Sequence, residues 1–150
     1  MLRLSRLTDY AVVVLVRLSA AEGVATSPGI SASIGIPEPT VAKVLKALAG
    51  QGLVTSTRGA HGGYRLGRPL SEVAISEVIV AIDGPIALTS CVDGVEGCDS
   101  HLLCPMAGRW NPVNDAIRYA LSNISLADMA AASIPRALRP PVTASFNEVA

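Results

Sequence analysis

The sequence predicts a mainly α protein with a small β-hairpin wing: a winged helix-turn-helix followed by a long C-terminal helix. Three observations carry this. Apolar residues recur at helical spacing in successive segments between Leu7 and Ala49. Two β-forming runs, Leu53–Thr57 and Tyr64–Leu66, flank the glycine-rich turn Arg58-Gly-Ala-His-Gly-Gly63. Farther on, Trp110, Val113, Ile117 and Leu121 mark another periodic segment.

The first helix spans Thr8 to about Ala21, with Leu7, Ala11, Val14, Leu15 and Leu18 on one face and Thr8 as candidate N-cap. A buried strand through Val12, Val13 and Val14 is the rival reading, but the run is long and its flanks lack turn residues. Thr26 or Ser27 caps a short second helix with Pro28 in its first turn, ending near Gly35. The third begins around Pro37 to Pro39 and runs to Ala49. Val41, Val44, Leu45 and Leu48 form its apolar stripe, and Gly52 is placed to end it. At about 100° per residue, Pro39, Thr40, Lys43, Lys46 and Ala47 face away from that stripe. After the hairpin, a fourth helix covers Val73 to Ile82 and stops at Asp83-Gly84-Pro85; residues 86–104 lack periodicity. The last helix is expected from about Pro105 to Asn123, and the tail beyond Met129, with Pro135, Pro140 and Pro141, is expected to be loose.

The chain has 150 residues, enough for one domain that buries about 68–70% of its unfolded surface. Half of the residues are apolar and 16% are charged, below the usual value of about 25%, which excludes disorder across the whole chain. The longest aliphatic run, Ala11–Val16, is far short of the roughly 18 residues that cross a bilayer, and no secretory pattern follows the basic start. A cytoplasmic location without membrane association is expected.

Net charge is zero, but it is unevenly distributed. Residues 1–70 carry eight Lys and Arg against three Asp and Glu, whereas residues 71–150 carry four against nine. The polyanion partner, if there is one, belongs to the N-terminal half. A helix-turn-helix places its second helix in the major groove, with phosphate contacts fixing the register. Lys43 and Lys46 suit base or phosphate contacts, Thr40 and Pro39 can meet a thymine methyl, and Glu38 can accept from a cytosine amine. Arg58 and His61 at the hairpin tip suit a minor-groove or phosphate contact. Taken singly, each residue has a plainer reading as solvated surface; the element order, basic helix face and basic hairpin coincide in the positive half. Five aromatic residues are too few for the stacking platforms of single-strand binders. No nucleophile motif or phosphate-binding loop points to an enzyme or to a small-molecule substrate.

Cys91, Cys98 and Cys104 fall within one window of fourteen residues. A reducing compartment leaves them as thiols, and three thiolates can bind a soft metal or an iron–sulfur cluster, both of which normally take four ligands. Asp9, Asp93, Glu96, Asp99 and His101 are chemically admissible as the fourth; His101 would complete a zinc site, and ordinary buried or redox-reactive thiols are a further alternative.

The start Met-Leu-Arg-Leu-Ser-Arg-Leu-Thr-Asp9-Tyr-Ala, the stretch Gly35-Ile-Pro-Glu-Pro-Thr-Val-Ala-Lys-Val-Leu45, the wing Arg58–Tyr64 and the cysteines followed by Pro105 are similar to the Rrf-two family of bacterial transcription regulators over residues 1 to about 130. Within that family the chain most resembles regulators of the SUF iron–sulfur assembly system, through Leu7-Thr-Asp-Tyr-Ala-Val-Val-Val14, Pro39-Thr-Val-Ala-Lys-Val-Leu-Lys-Ala-Leu48 and Asp83-Gly-Pro-Ile-Ala-Leu88. The resemblance implies a homodimeric repressor that binds a palindromic double-stranded operator. Residues 1–70 would be the DNA-binding domain, 71–104 the connecting helix and cysteine loop, 105–130 the dimerisation helix and 131–150 the tail. It makes Cys91, Cys98 and Cys104 ligands of a 2Fe–2S or 4Fe–4S cluster. The best-known cluster-assembly repressor of the family has a histidine three residues after its last cysteine, where this chain has Ala107, and its first cysteine gap is one residue shorter. The nitric-oxide-sensing branch uses an aspartate of the first helix instead, which corresponds to Asp9, supplied within one chain or across a dimer. Otherwise Asp9 is a helix-start carboxylate facing the macrodipole. A nitric-oxide or redox sensor on the same scaffold is the alternative, and a cluster carrier or electron-transfer protein is the alternative of another class.

Overall fold

The computed structural model describes residues 2–92 and 102–139. The elements are α1 (Arg6–Ser19), α2 (Ser27–Ile34), α3 (Glu38–Gly50), β1 (Val54–Thr57), β2 (Gly63–Leu66), α4 (Ile75–Asp83), α5 (Asn111–Ser122) and α6 (Leu126–Ala130), with short 3-10 turns at Leu70–Glu72 and Arg136–Leu138.

Helix α1 begins earlier than the sequence predicts. Its N-cap is Ser5, whose hydroxyl accepts from the Thr8 amide at 3.2 Å. Thr8, expected as the cap, is instead buried within the first turn, and its hydroxyl donates to Asp83. Both residue types cap helices, and the one preceding the first helical turn took the role. Ala11, Val14, Leu15 and Leu18 form the buried face as expected.

The other two N-terminal helices match their reading closely. The Thr26 hydroxyl accepts from the Gly29 amide at 3.1 Å, and Gly35, at φ +71°, closes α2. Ser31 donates to the Ile36 carbonyl at 2.6 Å and so fixes the turn that delivers α3. Val41, Val44, Leu45 and Leu48 are buried along α3. Complete burial of a leucine such as Leu45 or Leu48 contributes on the order of 1.5–3 kcal/mol.

Strands β1 and β2 pair antiparallel, Val54 opposite Leu66 and Thr57 opposite Gly63. A third segment joins them, unseen in the sequence: Ala25 bridges Tyr64 through two 2.8 Å backbone hydrogen bonds. Gly63 is required there, because a Cβ would stand 2.8 Å from the Ala25 carbonyl oxygen. The wing is thereby tied to the segment entering α2.

Helices α1, α3 and α4 enclose one core, completed by Ile30, Val73 and Leu126. Glu77 in the first turn of α4 accepts from the Ala74 amide at 2.9 Å and from Arg68, which follows β2, at 2.6 Å. No helix among the described residues is long and apolar enough to cross a membrane.

The C-terminal helix differs from its expectation of one long element. Residues 104–110 form successive turns, and Gly108 sits at φ +71°, a left-handed conformation that interrupts a right-handed helix. Helix α5 therefore starts at Asn111, with Pro112 in its first turn. After Ser122 the chain is drawn onto residues 73–75: the Ile75 amide donates to the Ile124 carbonyl and the Leu126 amide to the Val73 carbonyl, both at 2.9 Å. Ser125 then caps α6 as a separate helix. Residues 131–139 make backbone hydrogen bonds, and Arg139 Nε donates to the Ile134 carbonyl at 2.6 Å; Pro140, Pro141 and the rest of the tail lie outside the described residues.

Candidate nucleic-acid interface and cysteine site

Helix α3 follows α2 across the Gly35–Pro37 turn and buries its aliphatic stripe, so its opposite side is left to solvent. Glu38, Pro39, Lys43 and Lys46 are exposed and Thr40 is half-buried. Arg58 and His61 are exposed at the hairpin tip. All seven predicted contact residues thus lie on accessible surface of the helix-turn-helix and its wing. Two side-chain contacts on this unit had no sequence signal. The Ser27 hydroxyl donates to Glu38 Oε1 at 3.2 Å, which joins the N-termini of α2 and α3 and orients the Glu38 carboxylate. Arg17 Nε donates to the Ser33 hydroxyl at 3.0 Å, fastening α2 to α1.

Cys91 follows the segment leaving α4, and Cys104 opens the turns leading to α5. Both are free thiols and half-buried, hence accessible to a ligand. Cys91 Sγ lies 3.2 Å from Thr89 Oγ1, a hydroxyl able to donate to a thiolate. Cys98, together with Asp93, Glu96, Asp99 and His101, lies outside the described residues. Among the described residues, no three His, Cys, Asp or Glu side chains group closely enough to hold a metal ion. The donor chemistry nevertheless fits a soft metal centre: two thiols, neither oxidised to a disulfide, stand at the two ends of one short connection. Asp9 is exposed on the first turn of α1, and its carboxylate makes no hydrogen bond or ion pair with a described residue. It borders a cavity of about 520 Å³ with Arg3, Arg6 and Met129, and neither Cys91 nor Cys104 lines that cavity.

A further group of residues fixes the approach to Cys91. Asn114 on α5 is fully buried; its Oδ1 accepts from the Leu88 amide at 2.9 Å and its Nδ2 donates to the Ile86 carbonyl at 3.0 Å. Arg118, one turn later, donates Nε to the same Ile86 oxygen at 3.0 Å. The sequence did carry a signal: Asn114 falls between Trp110 and Ile117 on the face read as apolar, and a polar residue there needs partners.

At the other end of the segment, Asp83 accepts from the Thr8 hydroxyl at 2.7 Å and from the Ser5 amide at 3.3 Å. Partial burial raises its pKa, but the bonds from Ser5 and Thr8 more than offset this and hold the carboxyl below its ordinary 3.8.

The family model Rrf2, described as an iron-dependent transcriptional regulator, matches residues 4–132. The HTH-type transcriptional regulator IscR of Photorhabdus laumondii is 36% identical over 130 residues, covering 85% of this chain and 79% of its own. The putative HTH-type transcriptional regulator Rv1287 of Mycobacterium tuberculosis is 33% identical over 136 residues, covering 89% and 84%. Among solved structures, CymR, the global cysteine regulator of B. subtilis, superposes with a TM-score of 0.65 at 27% identity, over 89% of this chain and 99% of its own. T. potens IscR superposes with a TM-score of 0.63 at 25% identity, over 93% of each chain. With the winged helix in place and the match spanning nearly every described residue, the chain belongs to the Rrf2 family of iron-dependent transcriptional regulators, which are DNA-binding proteins and not enzymes.

Proposed function

We propose that the protein is a cytoplasmic, homodimeric repressor that senses iron–sulfur cluster status and regulates SUF cluster-assembly genes. Cys91, Cys98 and Cys104 would hold a 2Fe–2S or 4Fe–4S cluster, with Asp9, or Asp9 of the partner subunit, as fourth ligand. The observation that carries the reading is the pair of free, accessible thiols at both ends of the connection between α4 and α5, on a chain whose positive half forms a winged helix.

The DNA partner is double-stranded and palindromic in this reading. Two α3 helices related by a dimer two-fold would meet successive major grooves roughly 34 Å apart. Glu38, Pro39, Thr40, Lys43 and Lys46 would approach the groove and Arg58 and His61 the flanking backbone or minor groove. A dimer is supported by apolar side chains left uncovered before and along α5: Leu103 is 92% exposed, and Trp110, Val113 and Tyr119 are exposed as well.

A cluster held by Cys91, Cys98 and Cys104 would supply a redox-sensitive tie at this connection. The chain's own part is to transmit that tie. The segment from Cys91 runs back to Asp83, which grips the start of α1, and α1 is fastened to α2 by Arg17. A coupling of about 1–3 kcal/mol through such a path changes operator affinity about 5- to 150-fold. A nitric-oxide- or redox-sensing regulator is the second reading, favoured by the accessibility of the same thiols.

The test is anaerobic purification with a visible spectrum and quantification of iron, sulfide and zinc, followed by gel shifts on the gene's own upstream DNA. Brown protein whose iron and sulfide disappear in Cys98→Ala, and whose operator affinity changes on cluster loss, supports the reading. Equal binding by loaded and empty protein sinks the coupling; colourless protein with stoichiometric zinc sinks the cluster.

A further inference from the structure

We infer that Asn114, assisted by Arg118, is the positioning residue of the thiol site: from α5 it holds the segment that leads to Cys91, while Cys104 lies at the start of the turns that enter the same helix. The inference rests on the metal-binding reading above and assigns the residues that organise the site.

Asn114 and Thr8 are the buried polar side chains among the described residues. An amide in that position is unfavourable unless hydrogen-bonded. Each polar atom of the Asn114 side chain has a partner, and both partners are backbone atoms of the segment leading to Cys91: the Leu88 amide at 2.9 Å and the Ile86 carbonyl at 3.0 Å. Arg118 adds a second donor to the Ile86 oxygen at 3.0 Å. Three hydrogen bonds from two side chains, one helical turn apart on α5, therefore clamp residues 86–88. Cys91 is three residues beyond the clamp, where Thr89 reaches back to its sulfur at 3.2 Å.

The other thiol hangs from the same helix. From Cys104 the chain passes through consecutive backbone bonds, Ala107 to the Cys104 carbonyl at 3.2 Å, Arg109 to Met106 at 3.0 Å and Asn111 to Gly108 at 3.2 Å, straight into α5. Both thiols are thus referenced to α5, one through side chains from its middle and the other through the turns at its start. A metal taken up by ligands whose neighbouring backbone is already held costs less chain entropy on binding. Partners that orient ligands without touching the metal typically alter affinity by about 10- to 100-fold when removed.

The experiment titrates reduced, metal-free, full-length protein with Co(II) under anaerobic conditions and reads the sulfur-to-cobalt charge-transfer bands. Asn114→Leu keeps the shape and removes both hydrogen bonds; its Co(II) affinity is expected to fall about 10- to 100-fold. Asn114→Asp keeps the acceptor for the Leu88 amide and is expected to fall between the two. Arg118→Ala, at a half-exposed position, covers the case in which Asn114→Leu does not fold, with an expected loss of about 2- to 10-fold. Val78→Ala, a core change in α4, lowers stability without touching the clamp and is expected to leave Co(II) affinity unchanged. Hydrogen exchange on the metal-free proteins reads the clamp itself: the Leu88 amide is expected to be protected in wild type and to exchange at least about tenfold faster in Asn114→Leu, while α4 amides keep their protection. Wild-type Co(II) affinity in both Asn114→Leu and Arg118→Ala overturns the inference and leaves the metal-binding reading standing. So does an equal loss in Val78→Ala, which reports general destabilisation. Absence of sulfur-to-cobalt bands in the wild type overturns the metal-binding reading, and this inference with it.

Discussion

The hydroxyl of Thr8, buried in the first turn of α1, donates a 2.7 Å hydrogen bond to the carboxylate of Asp83, the last residue of α4. Asp83 stands where two helix ends meet. A negative charge is unfavourable at the C-terminus of its own helix and favourable at the N-terminus of α1, where the Ser5 amide also donates to it. Thr8→Val keeps the shape of the side chain and removes the donor, so it is expected to lower stability by about 1 kcal/mol, or roughly 2–4 °C in melting temperature. Asp83 is held below its ordinary pKa of 3.8, so its contribution is fully present above that value and is lost as pH falls through the lower, folded-state pKa. The difference between wild type and Thr8→Val is therefore expected to shrink below about pH 3.8. A pH-independent difference in thermal melts would show that the carboxylate is not involved.

Glu77 joins the wing to α4 by a different device. One carboxylate oxygen accepts from the Ala74 amide and caps the helix, and the other pairs with Arg68. Burial pushes its pKa up, but the Arg68 and Ala74 bonds together bring it below 4.5. Both members of the ion pair are more than a third exposed, so solvent and salt screen the pair to about 0.5 kcal/mol. Glu77→Gln retains the cap and is expected to cost about that much, whereas Glu77→Ala loses the cap as well and is expected to cost about 1–1.5 kcal/mol. Denaturant melts at low and high salt separate the two contributions: the difference between Glu77→Gln and wild type should shrink in about 1 M salt, and the further difference between Glu77→Ala and Glu77→Gln should not.

The first half of this fold was legible because its signals are local and redundant. Thr26 before Pro28, Gly35 after Ile34, and the stripe Val41, Val44, Leu45, Leu48 each report one helix, and the structure places all of them as read. The errors arise where two residues compete for one role or where tertiary contacts decide. Ser5 displaced Thr8 as the cap because burial of Thr8 against Asp83 gave its hydroxyl another partner. The Ala25–Tyr64 bridge pairs one residue with one residue, too short for any alternation to show. Helix α5 is shorter than its periodicity suggests because Gly108 takes a left-handed conformation and the 124–126 segment is captured by residues 73–75, a contact more than forty residues apart in the chain. At the site, the residue types were readable from the sequence, but Asn114 and Arg118, which order the approach to Cys91, act on backbone atoms that no side-chain motif encodes.

Ala132 is the one non-glycine residue with positive φ among the described residues, at +51°. It follows α6, where a left-handed residue lets the Ser133 amide reach back to the Asp128 carbonyl at 2.8 Å. A Cβ in that conformation costs about 1–2 kcal/mol, and glycine recovers most of it while adding freedom to the unfolded chain. Ala132→Gly is expected to stabilise the protein by about 0.5–1 kcal/mol and to raise the melting temperature by roughly 1–4 °C. A lowered melting temperature would mean that the α6 terminus does not hold this conformation in solution.

Lys43 lies on the exposed side of α3, beyond the first turn, and Arg58 lies at the wing tip, so the two sample different parts of one binding face. Base edges are read chiefly by residues at the start of a recognition helix, and cations set back from it neutralise phosphates. Lys43→Ala and Arg58→Ala are therefore each expected to weaken binding to operator and to unrelated duplex alike, and to lower the slope of log affinity against log salt by about one. Glu38 starts the helix and is oriented by Ser27. Glu38→Ala is expected to leave the salt slope unchanged and to narrow the preference for operator over unrelated DNA by about 1–3 kcal/mol. The three substitutions separate attraction from readout within one set of fluorescence-anisotropy titrations at several salt concentrations. A Lys43→Ala protein with an unaltered slope and a changed base preference would move Lys43 from the phosphate backbone to the base edges and shift the docking of α3 by about a turn.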